Sequence, residues 1–182
     1  MSTYGDHIMS DADGNAVPGL QLAVVTLTDA QIKALPTTPV TFGPLPGSGK
    51  WNRAIFCSYN FDTNAGAYTN INAAFSALSI TGGTLVFGPI NDTTAIPNIS
   101  TLSTLLGTTG KRVHSVQIPY AEAYTYAGSA DYVLSPVYET HAGVDNAQFS
   151  VLMDNNGSGN LTGGNAANKI IVTVGFITLS LT

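Results

Sequence analysis

Short stretches in which apolar and polar residues alternate recur along the chain, and turn-forming residues separate them. Alternation with a period of two is typical of strands that bury one face and expose the other. Strands are predicted over residues 21–27, 37–42, 51–61, 73–80, 84–87, 112–118, 132–138, 147–153 and 170–181. Many short strands with frequent turns predict an all-β fold, a single β-sandwich of jelly-roll-like topology.

Two short helices are predicted between the strands. Thr28 followed by Gln31 has the spacing of a capping box, which begins a helix. Leu35 precedes Pro36, and the residue before a proline avoids the helical conformation, so this helix has room for about two turns. The second helix is predicted over 100–106, where leucines share one face.

The C-terminal strand changes phase near its middle. Apolar residues occupy alternate positions from Ile170 to Phe176 and then alternate positions from Ile177 to Leu181. Because side chains in a strand alternate with a period of two, this shift requires an extra residue. The pattern therefore predicts a bulge or a sharp twist around Gly175.

The chain divides into two parts of different composition. Residues 1–19 contain Asp, Asn, Gly and Pro with little periodic apolar content, which predicts an extended N-terminal arm. Residues 20–182 carry the alternating pattern and predict one β-sandwich domain. The first residues lack the basic start and apolar stretch of a signal peptide.

Charge is scarce. Charged residues make up 9% of the 182 positions, against about 25% in ordinary globular proteins, while 44% are hydrophobic and the net charge is −5. The six Lys and Arg are scattered, so no cluster neutralises several phosphates and nucleic acid is not expected as a partner. The longest apolar run is too short for a membrane helix, so no membrane is expected either. Such an uncharged surface favours contact with other protein.

The motifs that resemble phosphate-binding or calcium-binding loops each lack a residue that binding requires. The glycine-rich run 43–50 resembles a phosphate-binding loop, but Trp51 stands where that motif needs Ser or Thr for magnesium. The acidic loops 11–15 and 154–159 lack the bidentate Glu that closes a calcium loop. We therefore predict no catalytic residue, no metal, no cofactor and no enzymatic activity.

Isolated reactive residues have structural interpretations. Cys57 is predicted to be a small buried apolar side chain, and His114 a hydrogen-bonded histidine on a strand face. Asp131, Glu139 and Asp145 are the only local carboxylates that a polysaccharide hydrolase could use. Glu139 and His141 would share a strand face with Asp145 nearby, but three such residues in a loop-rich stretch are a weak constellation, and an exposed strand edge is the simpler interpretation.

Tyrosines concentrate in one segment, at Tyr120, Tyr124, Tyr126, Tyr132 and Tyr138, five of the eight in the chain. Tyrosine offers a large contact area at a small cost in side-chain entropy, which suits a recognition surface. The rings can equally pack inward or between subunits, and both interpretations stay open.

Two segments at opposite ends of the chain resemble a known family. They are the run 27–40 with its continuation into the turn Pro46-Gly-Ser-Gly-Lys50, and the run Asn160–Lys169 that leads into the last strand. Together they resemble small virion proteins of tailed bacteriophages, of the capsid decoration and head-fibre type. The polar 19-residue leader departs from the usual pattern of that family.

The resemblance implies a homotrimer that is made in the host cytoplasm and binds the major capsid protein on the outer surface of the virion. It implies a decoration, or cement, function that reinforces the shell, with another virion or head-fibre protein as a further partner. The alternative is a head-fibre or tail-associated adhesin that recognises a host surface glycan. The candidate contact residues are Tyr4, His7, Met9, Tyr124, Tyr126 and Tyr132.

Overall fold

The computed structural model describes residues 9–10, 16–17, 19–72, 76–83, 85–91, 102–117 and 144–181. The strands are β1 (Met9–Ser10), β2 (Ala16–Val17), β3 (Gln21–Thr28), β4 (Val40–Phe42), β5 (Lys50–Asp62), β6 (Tyr68–Thr69), β7 (Ala77–Gly82), β8 (Leu85–Asn91), β9 (Lys111–Gln117), β10 (Phe149–Asp154), β11 (Thr162–Gly163) and β12 (Lys169–Ser180). The helices are α1 (Asp29–Ala34) and α2 (Leu102–Gly107). The prediction of an all-β fold with two short helices is confirmed.

Most strands belong to two four-stranded sheets. Sheet A has the order β3-β12-β5-β9, and sheet B has the order β4-β10-β7-β8. Two small ladders, β1 with β2 and β6 with β11, complete the pairing among the described residues. Every one of these pairs is antiparallel.

A single apolar cluster joins the two sheets and both helices. Inward positions of β3, β5 and β12 meet inward positions of β4, β7 and β10, as the alternation predicts. Aromatic rings form the link between the sheets. Phe149 of β10 lies 5.8 Å from Phe42 of β4 and 5.4 Å from Phe176 of β12, measured between ring centroids.

Helix α1 begins as predicted. The Gln31 amide donates to the Thr28 hydroxyl over 3.4 Å, and the Thr28 amide donates to Gln31 Oε1 over 3.0 Å, which completes the capping box. Ile32 and Leu35 are buried in the core, and the helix ends before Pro36. Capping and burial of one face therefore hold six residues that would be too short to be helical alone.

The phase change in the C-terminal strand is also confirmed as a bulge. Gly175 pairs with Phe56 of β5, whereas the next residue, Phe176, pairs with Ala54. The extra residue is therefore Ile55, and it lies in β5 rather than in β12. Without a Cβ at position 175, the Phe56 ring lies directly on the backbone of the neighbouring strand.

Some predicted boundaries differ from those observed. The strand predicted over 37–42 is reduced to Val40–Phe42, because the amides of Thr37 and Thr38 both donate to the Ala34 carbonyl and prolong the helix as a turn. Inside the predicted arm, β1 and β2 form a two-stranded ladder. The strand predicted over 132–138 lies outside the described residues.

Three ionisable side chains adjoin one another on β5 and β9, two of them buried and one half-buried. Cys57 and Tyr59 of β5 are fully buried, as predicted for the cysteine. Burial raises the pKa of Cys57 to about 11, against a smaller lowering by its hydrogen bond to Tyr59. His114 of β9 pairs with Tyr59 across the ladder, with 6.5 Å between ring centroids, and burial lowers the pKa of His114.

We predict that Gly175→Ala destabilises the protein by about 1–3 kcal/mol, because its Cβ would lie 2.1 Å from Cε1 of Phe56 and force that ring away. Urea denaturation measures the change. Gly107→Ala is the matched control, since its Cβ would meet Ile71 at an ordinary 3.8 Å. Equal denaturation midpoints for the two variants would contradict this account of the bulge.

We predict that the free energy of unfolding falls as the pH drops below about 6.5, and falls less in His114→Gln. The folded-state pKa of His114 is lower than its ordinary value, so the unfolded chain takes up a proton at a pH where the folded chain does not. Stability is therefore lost on acidification until the folded-state pKa is reached. Denaturation curves from roughly pH 7.5 to 5.5 test this, and parallel pH profiles for the two proteins would refute it.

Candidate interaction face and its surroundings

Sequence reasoning placed the candidate contacts mainly outside the part of the chain that the structure describes. Tyr4, His7, Tyr124, Tyr126 and Tyr132 fall there. Met9 lies in β1, where it pairs with Val17, and only its backbone is described. These six contacts stay predictions, as does the choice between an exposed and an internal tyrosine segment.

The structure shows a different candidate contact surface, the outer face of sheet A. In β3, Ala23 and Leu27 point into the core and Val25 packs against it, so the alternate positions Leu22, Val24 and Thr26 point outward. Leu22 is 50% exposed and Val24 is 55% exposed, and Leu20 just before the strand is 47% exposed. Large apolar side chains thus project into solvent along one strand.

The strand register arranges the outer face into cross-strand rows. The rows, read in the order β3, β12, β5, β9, are Leu22, Gly175, Phe56 and Gln117; then Val24, Thr173, Ser58 and Ser115; then Thr26, Ile171, Asn60 and Val113. None of these positions is charged. We call these three rows the neutral face. Those of its side chains that the structure describes are hydroxyl and amide groups interspersed with apolar ones.

Two large apolar residues flank Gly175 at one end of the neutral face. Leu22 pairs with Gly175, and the Phe56 ring covers Gly175 from the other side. The bulge at this point therefore places an aromatic ring beside the exposed leucine of β3. Exposed apolar side chains that adjoin one another mark contact sites more strongly than isolated ones.

Charges begin at the opposite end of the neutral face. The next row is Thr28, Lys169, Asp62 and Lys111. Lys111 Nζ lies 3.5 Å from Asp62 Oδ2, with the Lys111 side chain 70% exposed. Such a pair is screened by water and contributes little to stability. It gives the neutral face a polar, charged border.

The edge of sheet A adds a second feature. Among the described strands, β3 has β12 as its single neighbour in the sheet. Edge strands usually carry Lys, Pro or a bulge that discourages pairing with other chains. The outward side chains of β3 are instead Leu22, Val24, Thr26 and Thr28. This face is therefore chemically suited to contact with protein through shape and hydrogen bonding.

The run 27–40 and the run Asn160–Lys169 meet in space. The Leu161 amide donates to the Lys33 carbonyl over 3.0 Å, and the Thr37 hydroxyl donates to Asn160 Oδ1 over 2.8 Å. Helix α1 thus rests on the loop that leads into β12. Buried Asn155 holds that loop, with Nδ2 donating to the carbonyls of Asn70 and Gly159.

The glycine-rich turn has backbone amides that could bind an anion, but side chains of the same chain already accept hydrogen bonds from these amides. The Gly49 amide donates to Asp145 Oδ1 over 2.7 Å, and the Gly47 amide donates to Asn146 Oδ1 over 3.0 Å. Amides that a phosphate-binding loop would offer to a ligand are therefore occupied. Lys50 is exposed, as expected for a turn with a structural role.

The loop 154–159 is likewise explained by its own backbone. Asp154 Oδ1 accepts from the Asn156 amide over 2.7 Å, and Asn156 and Gly157 have φ of 45° and 74°. This is the conformation that Asn and Gly adopt in tight turns. Within the described ranges, no three His, Cys, Asp or Glu side chains come close enough to hold a metal ion.

Helices of the described part of the chain are all too short to cross a membrane. Comparison with protein-family models, with curated proteins and with solved structures finds no match to this chain.

Proposed function

We propose that this chain is a capsid decoration, or cement, protein of a tailed bacteriophage. It forms a homotrimer, binds the major capsid protein on the outer surface of the head, and reinforces the shell without catalysing a reaction. The observation that carries the proposal is the neutral face of sheet A.

The neutral face has the composition of the centre of a protein contact. Charged residues are depleted at the centres of interfaces, because desolvating a charge costs more than an imperfect contact returns. Here the charges of Lys111, Asp62 and Lys169 stand at the border, where water continues to solvate them. The exposed side chains of Leu22, Val24 and Val113 supply apolar area within the border.

The fold supports the same proposal. A jelly roll consists of eight strands in two antiparallel sheets, and the described part of this chain has two antiparallel sheets of four strands that share one core. We therefore propose a jelly-roll-like β-sandwich. Such a scaffold has a rigid sheet surface, which presents a contact face with little loss of conformational entropy on binding.

Threefold symmetry explains how a face that binds weakly in one subunit can hold the trimer on the shell. A trimer on a threefold or quasi-threefold position of a shell repeats one contact three times. Once one subunit is bound, the others bind at a high effective concentration, so that avidity replaces individual affinity. A neutral face also keeps the charges of this acidic chain, whose net charge is −5, out of the contact.

We predict that Leu22→Lys lowers occupancy on shells at least about tenfold, because the new ammonium group would be desolvated in the contact. The assay is sedimentation of purified protein with capsids that lack it. Leu45→Lys is the matched control, since Leu45 is 60% exposed and lies outside sheet A. Equal occupancy of the two variants would contradict the assignment of the neutral face.

We predict that deleting residues 2–19 weakens capsid binding while the trimer persists. The polar composition of this arm favours ordering on a second surface rather than burial in the subunit. Light scattering gives the mass in solution, and sedimentation with capsids gives occupancy. Unchanged occupancy would contradict a role of residues 2–19 in the contact with the capsid.

A further inference from the structure

The turn after β10 contains Asn156-Gly157, the single Asn-Gly pair in the sequence. The Ser158 amide donates to the Asn155 carbonyl over 2.9 Å, so Asn156 and Gly157 are the two central residues of a β-turn. Their φ angles of 45° and 74° are both positive, as in a type I′ turn. Both residues are exposed to solvent.

The side chain of Asn156 differs from those of the asparagines around it. Asn155 is 3% exposed, and its Nδ2 donates to two carbonyls. Asn160 Oδ1 accepts from the Thr37 hydroxyl over 2.8 Å. In the part of the chain that the structure describes, no hydrogen bond holds the side-chain amide of Asn156. Its carbonyl carbon, Cγ, is therefore accessible to solvent and to the backbone nitrogen that follows it.

Glycine leaves that backbone nitrogen unshielded. A Cβ at Gly157 would meet no atom within 4 Å, so the space beside the nitrogen is open. Glycine also rotates more freely about its backbone bonds than any other residue. Since Asn156 is exposed, the rotation that brings its Cγ onto the Gly157 nitrogen costs the hydrogen bonds of a surface turn rather than contacts of the core.

We propose that Asn156 is a deamidation site, at which the chain is converted slowly and without an enzyme to a mixture of aspartate and isoaspartate. The Gly157 nitrogen loses its proton and forms a bond to Cγ of Asn156, and the side-chain amide group takes up a proton and leaves as ammonia. Water then opens the cyclic imide. Breaking the bond between the Gly157 nitrogen and Cγ gives aspartate, and breaking the bond between this nitrogen and the Asn156 backbone carbonyl carbon gives isoaspartate.

The products change the turn in two ways. Either product adds one negative charge to a chain whose net charge is −5, close to Asp154, whose Oδ1 accepts from the Asn156 amide over 2.7 Å. Isoaspartate also inserts a methylene group into the backbone and so alters the geometry of a two-residue turn. The next carbonyl, of Ser158, accepts from Asn70 Nδ2 over 2.8 Å. The reaction therefore acts on the loop that leads towards β12, whichever partner the neutral face binds.

A second turn of the same chain is a matched control. Asn64 and Ala65 are the exposed central residues of a β-turn that the Gly66 amide closes by donating to the carbonyl three residues earlier, over 3.2 Å. As at Asn156, the amide of this asparagine donates to an aspartate two residues before it, here to Asp62 Oδ1 over 3.4 Å. The two turns place an asparagine at the same position and differ chiefly in the residue that follows it.

Peptide mass spectrometry of the full chain, incubated at mildly alkaline pH, tests the proposal. We expect deamidation at Asn156 to be at least about tenfold faster than at Asn64, because the Ala65 methyl group hinders the attack. We also expect isoaspartate at residue 156, detected with an isoaspartyl methyltransferase and a labelled methyl donor. Equal rates at the two asparagines, or conversion to aspartate without isoaspartate, would overturn the proposal.

Exchanging the residues that follow the two asparagines gives a second test. We expect Gly157→Ala to slow deamidation at Asn156, and Ala65→Gly to accelerate it at Asn64, each at least about tenfold. The φ of 74° at Gly157 is strained for alanine, so Gly157→Ala alone would be ambiguous if it did not fold. Ala65→Gly then decides, with Asn156 of the same chain as internal reference, and an unchanged rate at Asn64 would refute the role of the glycine.

Discussion

The pairing of β12 with two strands from the first third of the chain is the constraint on which the structure depends. β12 lies between β3 and β5 and forms antiparallel ladders with both. This pairing closes the chain, brings helix α1 onto the loop before β12, and sets the rows of the neutral face. A change of register by one residue would move every side chain of the strand to the opposite face.

Local sequence signals correctly predicted where α1 begins and ends and where the bulge in sheet A lies. The capping box of Thr28 and Gln31, the proline after Leu35 and the phase change at Gly175 each have a mechanism that acts within a few residues. The sequence did not reveal that the extra residue is Ile55, because a bulge belongs to a pair of strands. The packing of the paired strand decides which of the two strands carries the extra residue.

The candidate site was harder to predict for a similar reason. Alternation shows that Leu22 and Val24 share a face, but the neutral face exists only once the register sets them beside Thr173, Ser58 and their neighbours. Tyrosine enrichment drew attention instead to 120–138, which lies outside the described residues.

The function that we propose is adhesion through the neutral face, with Lys111, Asp62 and Lys169 at its border. A cryo-EM reconstruction of the intact particle tests this claim most directly. We predict that the reconstruction shows three copies of the chain around threefold or quasi-threefold positions on the outside of the head, with the neutral face against the major capsid protein. Particles without the chain, or copies whose neutral face is fully solvated, would contradict it.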